Sequence, residues 1–82
     1  MPTAYFLLNV ALTHETEVID KVRQILNAQQ SINFEIQGVY GVYDIIIKIT
    51  ADSDDKIRHL ALEKIKSIKN IQSAITMMVN EN

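Results

Sequence analysis

Apolar residues along this chain recur in two rhythms, and the alternation between them outlines the fold. Residues 4–12 (AYFLLNVAL) are apolar at nearly every position, which suits a short central strand flanked on both faces. Thr13, His14, Glu15, Thr16 and Glu17 follow, with hydroxyl and carboxylate groups suited to a helix start. Val18, Val22, Ile25 and Gln29 then fall on one helical line with Ile19 and Leu26 beside it, while Asp20, Lys21, Arg23 and Gln24 fall opposite. This pattern predicts an amphipathic helix of about 14 residues, ended at Gln29-Gln30-Ser31 without a glycine cap.

Residues 32–40 switch to a period of two, with Phe34, Ile36, Gly38 and Tyr40 on one side and Asn33, Glu35, Gln37 and Val39 on the other. Residues 43–51 do the same, setting Tyr43, Ile45, Ile47 and Ile49 against Asp44, Ile46, Lys48 and Thr50. Asp52-Ser53-Asp54-Asp55 reads as a second helix start, an N-cap followed by carboxylates that favour the helix dipole. Ile57, Leu60, Ala61, Ile65 and Ile68 form that helix's apolar stripe; Lys64, Lys66 and Lys69 complement its C-terminal end. Asn70 suits a left-handed exit. Residues 71–79 are the last strand, with Ile71, Ile75, Met77 and Val79 expected on one side and Gln72, Ala74, Thr76 and Met78 on the other. Asn80-Glu81-Asn82 is a polar tail.

Register singles out one pairing for the central hairpin. A two-residue Gly41-Val42 loop sets Tyr40 against Tyr43, Gly38 against Ile45, Ile36 against Ile47 and Phe34 against Ile49. The apolar residues then share one face, and Glu35 lands opposite Lys48 on the other. A slip of one residue would set Glu35 and Gln37 against isoleucines and bury charge. Glycine at the first loop position matches a type II′ turn, which needs positive φ.

The order β-α-β-β-α-β is that of an α+β, ferredoxin-like domain, with a four-stranded antiparallel sheet and both helices on one face. The uncovered face is expected to carry Tyr5, Leu7, Asn9, Glu35, Gln37, Val39, Asp44, Ile46, Lys48, Ala74, Thr76 and Met78. About half of these are apolar, as on a face that packs against another subunit.

Composition sharpens that expectation. Residues 1–82 are enough for a single domain, and a chain this short buries only about 60–65% of its unfolded surface. With no cysteine, neither disulfides nor thiolate metal sites supplement the core. Yet 48% of residues are apolar, more than a small monomer easily hides, so a soluble oligomer is expected. Net charge is −2 with the signs interspersed, unlike the basic stripe that tracks a phosphate backbone. No apolar run approaches the ~20 residues of a membrane span, and the N-terminus lacks the charged-then-apolar order of a signal peptide. A cytoplasmic protein that touches neither nucleic acid nor membrane is expected.

Candidate chemistry is sparse. His14 lies near a helix start and His59 on the polar side of the second helix, with no third group spaced to complete a metal site. No Gly-rich phosphate loop or serine–histidine–carboxylate arrangement is present. Met77-Met78 reads as strand packing. No enzyme, metal or cofactor is expected. Asp44 stands out, a carboxylate just past the hairpin turn. With turn amides and a hydroxyl such as Thr76 it could grip an amino acid by its ammonium and carboxylate groups; alternatively it caps the hairpin or pairs across a subunit interface.

The run Tyr40-Gly41-Val42-Tyr43-Asp44-Ile45-Ile46-Ile47-Lys48 resembles the G-x-Y-D motif of the effector (RAM) domain of the Lrp/AsnC family. Residues 71–79 and 3–10 look like that domain's last and first strands, so the resemblance covers essentially the whole chain. It implies a stand-alone regulatory domain lacking the helix-turn-helix, dimers through the sheets and rings of dimers. It also implies assembly with full-length Lrp/AsnC regulators and a small effector, typically an amino acid, bound where dimers meet. Carried over by position, the effector site would be Tyr40, Gly41, Val42, Tyr43, Asp44 and Thr76. Family members commonly carry a hydroxyl residue two positions before Thr76; here it is Ala74.

Overall fold

Ile45, Ile47, Ile49 and Ala51 are fully buried, while Ile46, Lys48 and Thr50 between them are not. This strict alternation belongs to β3 (Ile45–Ala51), a strand covered on one side by helices. The structure, a computed structural model, describes residues 1–79; the expected polar tail, residues 80–82, lies outside the described residues. β1 (Thr3–Val10) alternates in the same way, burying Ala4, Phe6, Leu8 and Val10. β2 (Ile32–Gly38) and β4 (Ile71–Met78) complete an antiparallel sheet in the order β2-β3-β1-β4. Helices α1 (Glu15–Asn27) and α2 (Asp54–His59) follow β1 and β3, so the element order is β-α-β-β-α-β, the ferredoxin-like α+β fold.

α1 buries Val18, Val22 and Leu26, a line of four-residue steps, with Ile19 and Ile25 packed beside it. Leu26 thus takes the central place expected of Ile25. α2 starts as its sequence suggests: the Ser53 hydroxyl accepts from the Lys56 N–H at 3.2 Å, with Asp54 and Asp55 in the first turn. It then widens into a π-helical segment, Leu60–Ile65, where the Lys66 N–H donates to the Ala61 carbonyl five residues back at 3.2 Å. Ile57, Leu60, Ala61 and Ile65 are all buried despite the change of pitch. Asn70 makes the left-handed exit, φ 76°. Among the described residues no polar side chain is buried.

The hairpin register is the expected one: Gly38 pairs with Ile45, Ile36 with Ile47, Phe34 with Ile49 and Glu35 with Lys48. The tight turn is not. The ladder stops at Gly38 and Ile45, and residues 39–44 form an open loop closed by the Val39 N–H to the Asp44 carbonyl, 2.9 Å. Gly41 does adopt positive φ, but at 142°, far from the value of a II′ turn. Tyr40 and Tyr43 therefore do not pair.

β4 carries a second correction. Val10 pairs with Ile71 and Asn9 with Ser73, so one step along β1 spans two along β4. This bulge at Gln72 inverts the side-chain parity of the rest of the strand. Ser73, Ile75 and Met77 lie on the uncovered face with Asn9, Leu7 and Tyr5, and the Asn9 amide donates to the Ser73 hydroxyl at 3.1 Å. Ala74, Thr76 and Met78, expected there, lie on the helix side, where Ala74 packs against the core.

Candidate functional site

The end of the sheet where β3 begins explains Asp44. Even-numbered residues of β1 face β3, and the ladder between them ends at the Leu8–Ile45 pair. The next N–H on that side, Val10, has no strand left to bond, and an unpaired N–H beside a core costs about 1–3 kcal/mol. Asp44 solves this with its side chain: Oδ2 accepts from the Val10 N–H at 2.9 Å, while the Asp44 N–H donates to the Leu8 carbonyl at 2.9 Å. The carboxylate extends the ladder where the backbone has left it, and it pins loop 39–44 to β1. Within the single chain the Asp44 carboxylate bonds to the backbone of β1 and so ties the hairpin loop to the neighbouring strand.

The pinned loop presents apolar groups to solvent. Tyr40 and Val42 are exposed, as is Leu12 at the end of β1. Beneath them lies an open concavity of about 580 Å³ lined by Leu12, Glu15, Gly38, Val39, Tyr40 and Asp44. Two carboxylates reach it and none of its lining residues is cationic. It is thus an open cleft with carboxylate and apolar walls.

Of the expected site residues, Tyr40 and Asp44 line this concavity; Gly41, Val42 and Tyr43 belong to the same loop. Thr76 does not join them. It pairs with Phe6, four residues from Val10 along β1, a distance of about 13 Å at ~3.3 Å per residue. Any contact of Thr76 with a molecule in the loop region would need a second chain. Leu12 and Glu15 were not anticipated at the site, because they belong to the connection into α1, distant in sequence from the loop. His14 Nδ1 meets Glu17 Oε2 at 2.7 Å on the surface, and His59 meets Glu63 at 3.2 Å. Among the described residues no cluster of three potential metal ligands occurs, and no helix is long and apolar enough to cross a membrane.

Comparisons with known proteins agree with this architecture. The family profile described as "Lrp/AsnC ligand binding domain" matches residues 3–82. The solved structure of FFRP-DM1 is similar at 32% identity and a TM-score of 0.81, covering 98% of this chain and all of that one (100%). A hypothetical protein from Pyrococcus horikoshii is also 32% identical, with a TM-score of 0.80 over 100% of this chain and 93% of its own. A transcriptional regulator from Neisseria meningitidis, solved in complex with L-Met, shares the fold at 11% identity and a TM-score of 0.72; this chain covers 50% of it, by 98% of its own length. A search of curated proteins finds no match. With its profile match, strand order and anchored G-x-Y-D loop together, this chain belongs to the Lrp/AsnC ligand-binding domain family.

Proposed function

We propose that the domain is a non-enzymatic effector-binding and oligomerisation module that senses a small molecule, an amino acid, where subunits meet. The observation that carries this reading is the loop at residues 39–44: its backbone is anchored through Asp44, yet Tyr40 and Val42 point into solvent above an open cleft. An anchored loop with exposed apolar tips is shaped to receive another surface, and a cleft walled on one side is completed by a second subunit. The Asp44 and Glu15 carboxylates would meet the ammonium group of an amino acid. A second copy would supply the groups for its carboxylate, Thr76 of the last strand among them. The L-Met complex of the Neisseria regulator supports this choice of ligand class.

Self-association would come from the uncovered sheet face, where Tyr5, Leu7 and Ile46 are only half-buried and Ile75 and Met77 are exposed. The same face could pair with full-length Lrp/AsnC regulators, and effector bound across a boundary would favour one assembly state over another. Calorimetric titration against the proteinogenic amino acids, with molar mass followed alongside, tests this. Binding heat together with a change in mass is expected; neither heat nor mass change for any amino acid would defeat the sensor.

One observation favours a second reading, a ligand-free interaction module that assembles with full-length regulators. Asp44 Oδ2 is already engaged by Val10, which is a sufficient reason for a carboxylate there. Asp44→Asn separates the two, since the amide oxygen can still accept from Val10 while the charge is lost. A sensor loses its ligand response and keeps its mass; a pure assembly module shows no ligand response in either form.

A further inference from the structure

Two groups compete for one ring nitrogen in this chain. His14 Nδ1 lies 2.7 Å from the Glu17 carboxylate oxygen Oε2 and 3.3 Å from the Asn70 amide nitrogen Nδ2. Glu17 belongs to the first turn of α1, whereas Asn70 immediately precedes β4, 56 residues from His14 along the chain. An ionised carboxylate only accepts hydrogen bonds, and an amide nitrogen only donates them. Nδ1 carries either a proton or a lone pair, so it serves one of the two at a time. A neutral ring with its lone pair on Nδ1 takes the Asn70 N–H and leaves the Glu17 oxygen without a proton to accept. A protonated ring donates to Glu17 in a charge-assisted bond and turns the Asn70 N–H away.

The ring is attached to a strained turn. Residues 11–14 join β1 to α1, and Thr13 among them adopts φ 71°, a left-handed conformation that a β-branched residue keeps only where its surroundings impose it. Hydrogen bonds restrain the turn: the His14 N–H donates to the Ala11 carbonyl at 3.0 Å and the Ala11 N–H to the Asn70 carbonyl at 2.8 Å. The His14 ring adds a side-chain tie to the same Asn70. Leu12 and Glu15, which flank Thr13 and His14, form one wall of the cleft. Among the described residues Glu17 is the carboxylate within ion-pair distance of His14. Glu15 follows His14 directly in the chain, and exposed Lys69 precedes Asn70 on the opposite connection. With 41% of its side chain exposed, His14 can exchange protons with solvent. We propose that His14 is a proton-operated latch on this wall of the cleft. Neutral, it ties the β1–α1 turn to Asn70; protonated, it passes to Glu17 and releases the turn. The wall therefore loosens as pH falls from about 8 to 5, the range in which histidines gain their charge.

The latch belongs to the free chain, while its effect on a bound amino acid rests on the reading of the cleft as the effector site. Solution NMR of the chain without ligand tests the latch alone; failure of every amino acid to bind would count against the effector reading and leave the latch standing. Hydrogen-exchange protection is measured at the Ala11 N–H, relative to an unstructured chain at the same pH. Between pH 8 and pH 5 it is expected to fall about fivefold, the contribution of one neutral hydrogen bond. The fall should follow the titration of the His14 ring and a shift of the Asn70 side-chain N–H signals, with protection at buried Val22 unchanged. In Glu17→Gln, which removes the competing carboxylate, release should require a more acidic solution. In His14→Gln the Ala11 protection should be the same at both pH values. Should that variant fail to fold by circular dichroism, Asn70→Gly serves, since glycine keeps the left-handed exit and removes the amide; the pH effect should again vanish. An Ala11 protection that ignores the His14 titration, or a pH effect that survives in these last variants, overturns the latch. So do Asn70 signals that stay in place because the carboxamide turns its oxygen to the protonated ring.

Discussion

The two faces of one sheet make a controlled comparison, since they share strands, backbone and neighbours and differ only in what covers them. On the helix side, Phe6, Leu8, Ile45, Ile47 and Ile49 are closed off completely. On the other side, residues one position along the same strands are as apolar in several places but stay partly open, with Ile75 43% and Met77 48% exposed. The difference lies in which face the helices cover rather than in residue type. Both helices lie on one side of the four strands, so the second face keeps its apolar residues uncovered.

Substitutions on the two faces should therefore separate cleanly. The largest effect is expected for Ile47→Ala, which removes a fully buried side chain and should lower folding stability by about 2–5 kcal/mol. The neighbouring Ile46→Ala should cost the single chain far less while weakening self-association. Chemical denaturation of both, with mass measured in parallel, checks the pair, and equal stability losses would erase the contrast. Asp44→Ala comes next. Leaving the Val10 N–H without its acceptor should cost about 1–3 kcal/mol, and amide exchange at Val10 should accelerate more than at Leu8. Smallest is Ser53→Ala, which removes the α2 cap on the helix side and should cost about 1 kcal/mol without altering mass.

The same comparison shows which features the sequence carried. The register of β2 on β3 was legible because only one alignment keeps Glu35 and Gln37 away from Ile47 and Ile45, and the structure adopts it. Both helix stripes were legible for the same reason, apart from the shift from Ile25 to Leu26. The facing of β4 was not. A single bulged residue at Gln72 inverts every later side chain, and small or polar neighbours leave no mark of it in the hydropathy pattern. That inversion turned Ala74, Thr76 and Met78 to the helix side, where Ala74 packs on the core while Thr76 and Met78 stay exposed, and brought Ser73, Ile75 and Met77 to the other face. The π-helical turn was equally silent, because Ile57, Leu60, Ala61 and Ile65 share a face at either pitch.

At the candidate site, the motif pointed to the loop but not to its geometry. A two-residue turn fits the alternation of residues 32–40 and 43–51, yet Asp44 leaves the ladder so that its carboxylate can reach Val10, 34 residues earlier. A contact between a loop side chain and so distant a backbone N–H has no signature in local spacing. Leu12 and Glu15 reach the cleft by the same long-range closure.

Sedimentation equilibrium of the unmodified chain across the micromolar range tests the central claim most directly. If the open face is held by another copy, the mass is at least twice the 9.3 kDa of one chain and falls on dilution or on substitution of Leu7 by aspartate. A constant 9.3 kDa over that range, unchanged by the substitution, would contradict the account.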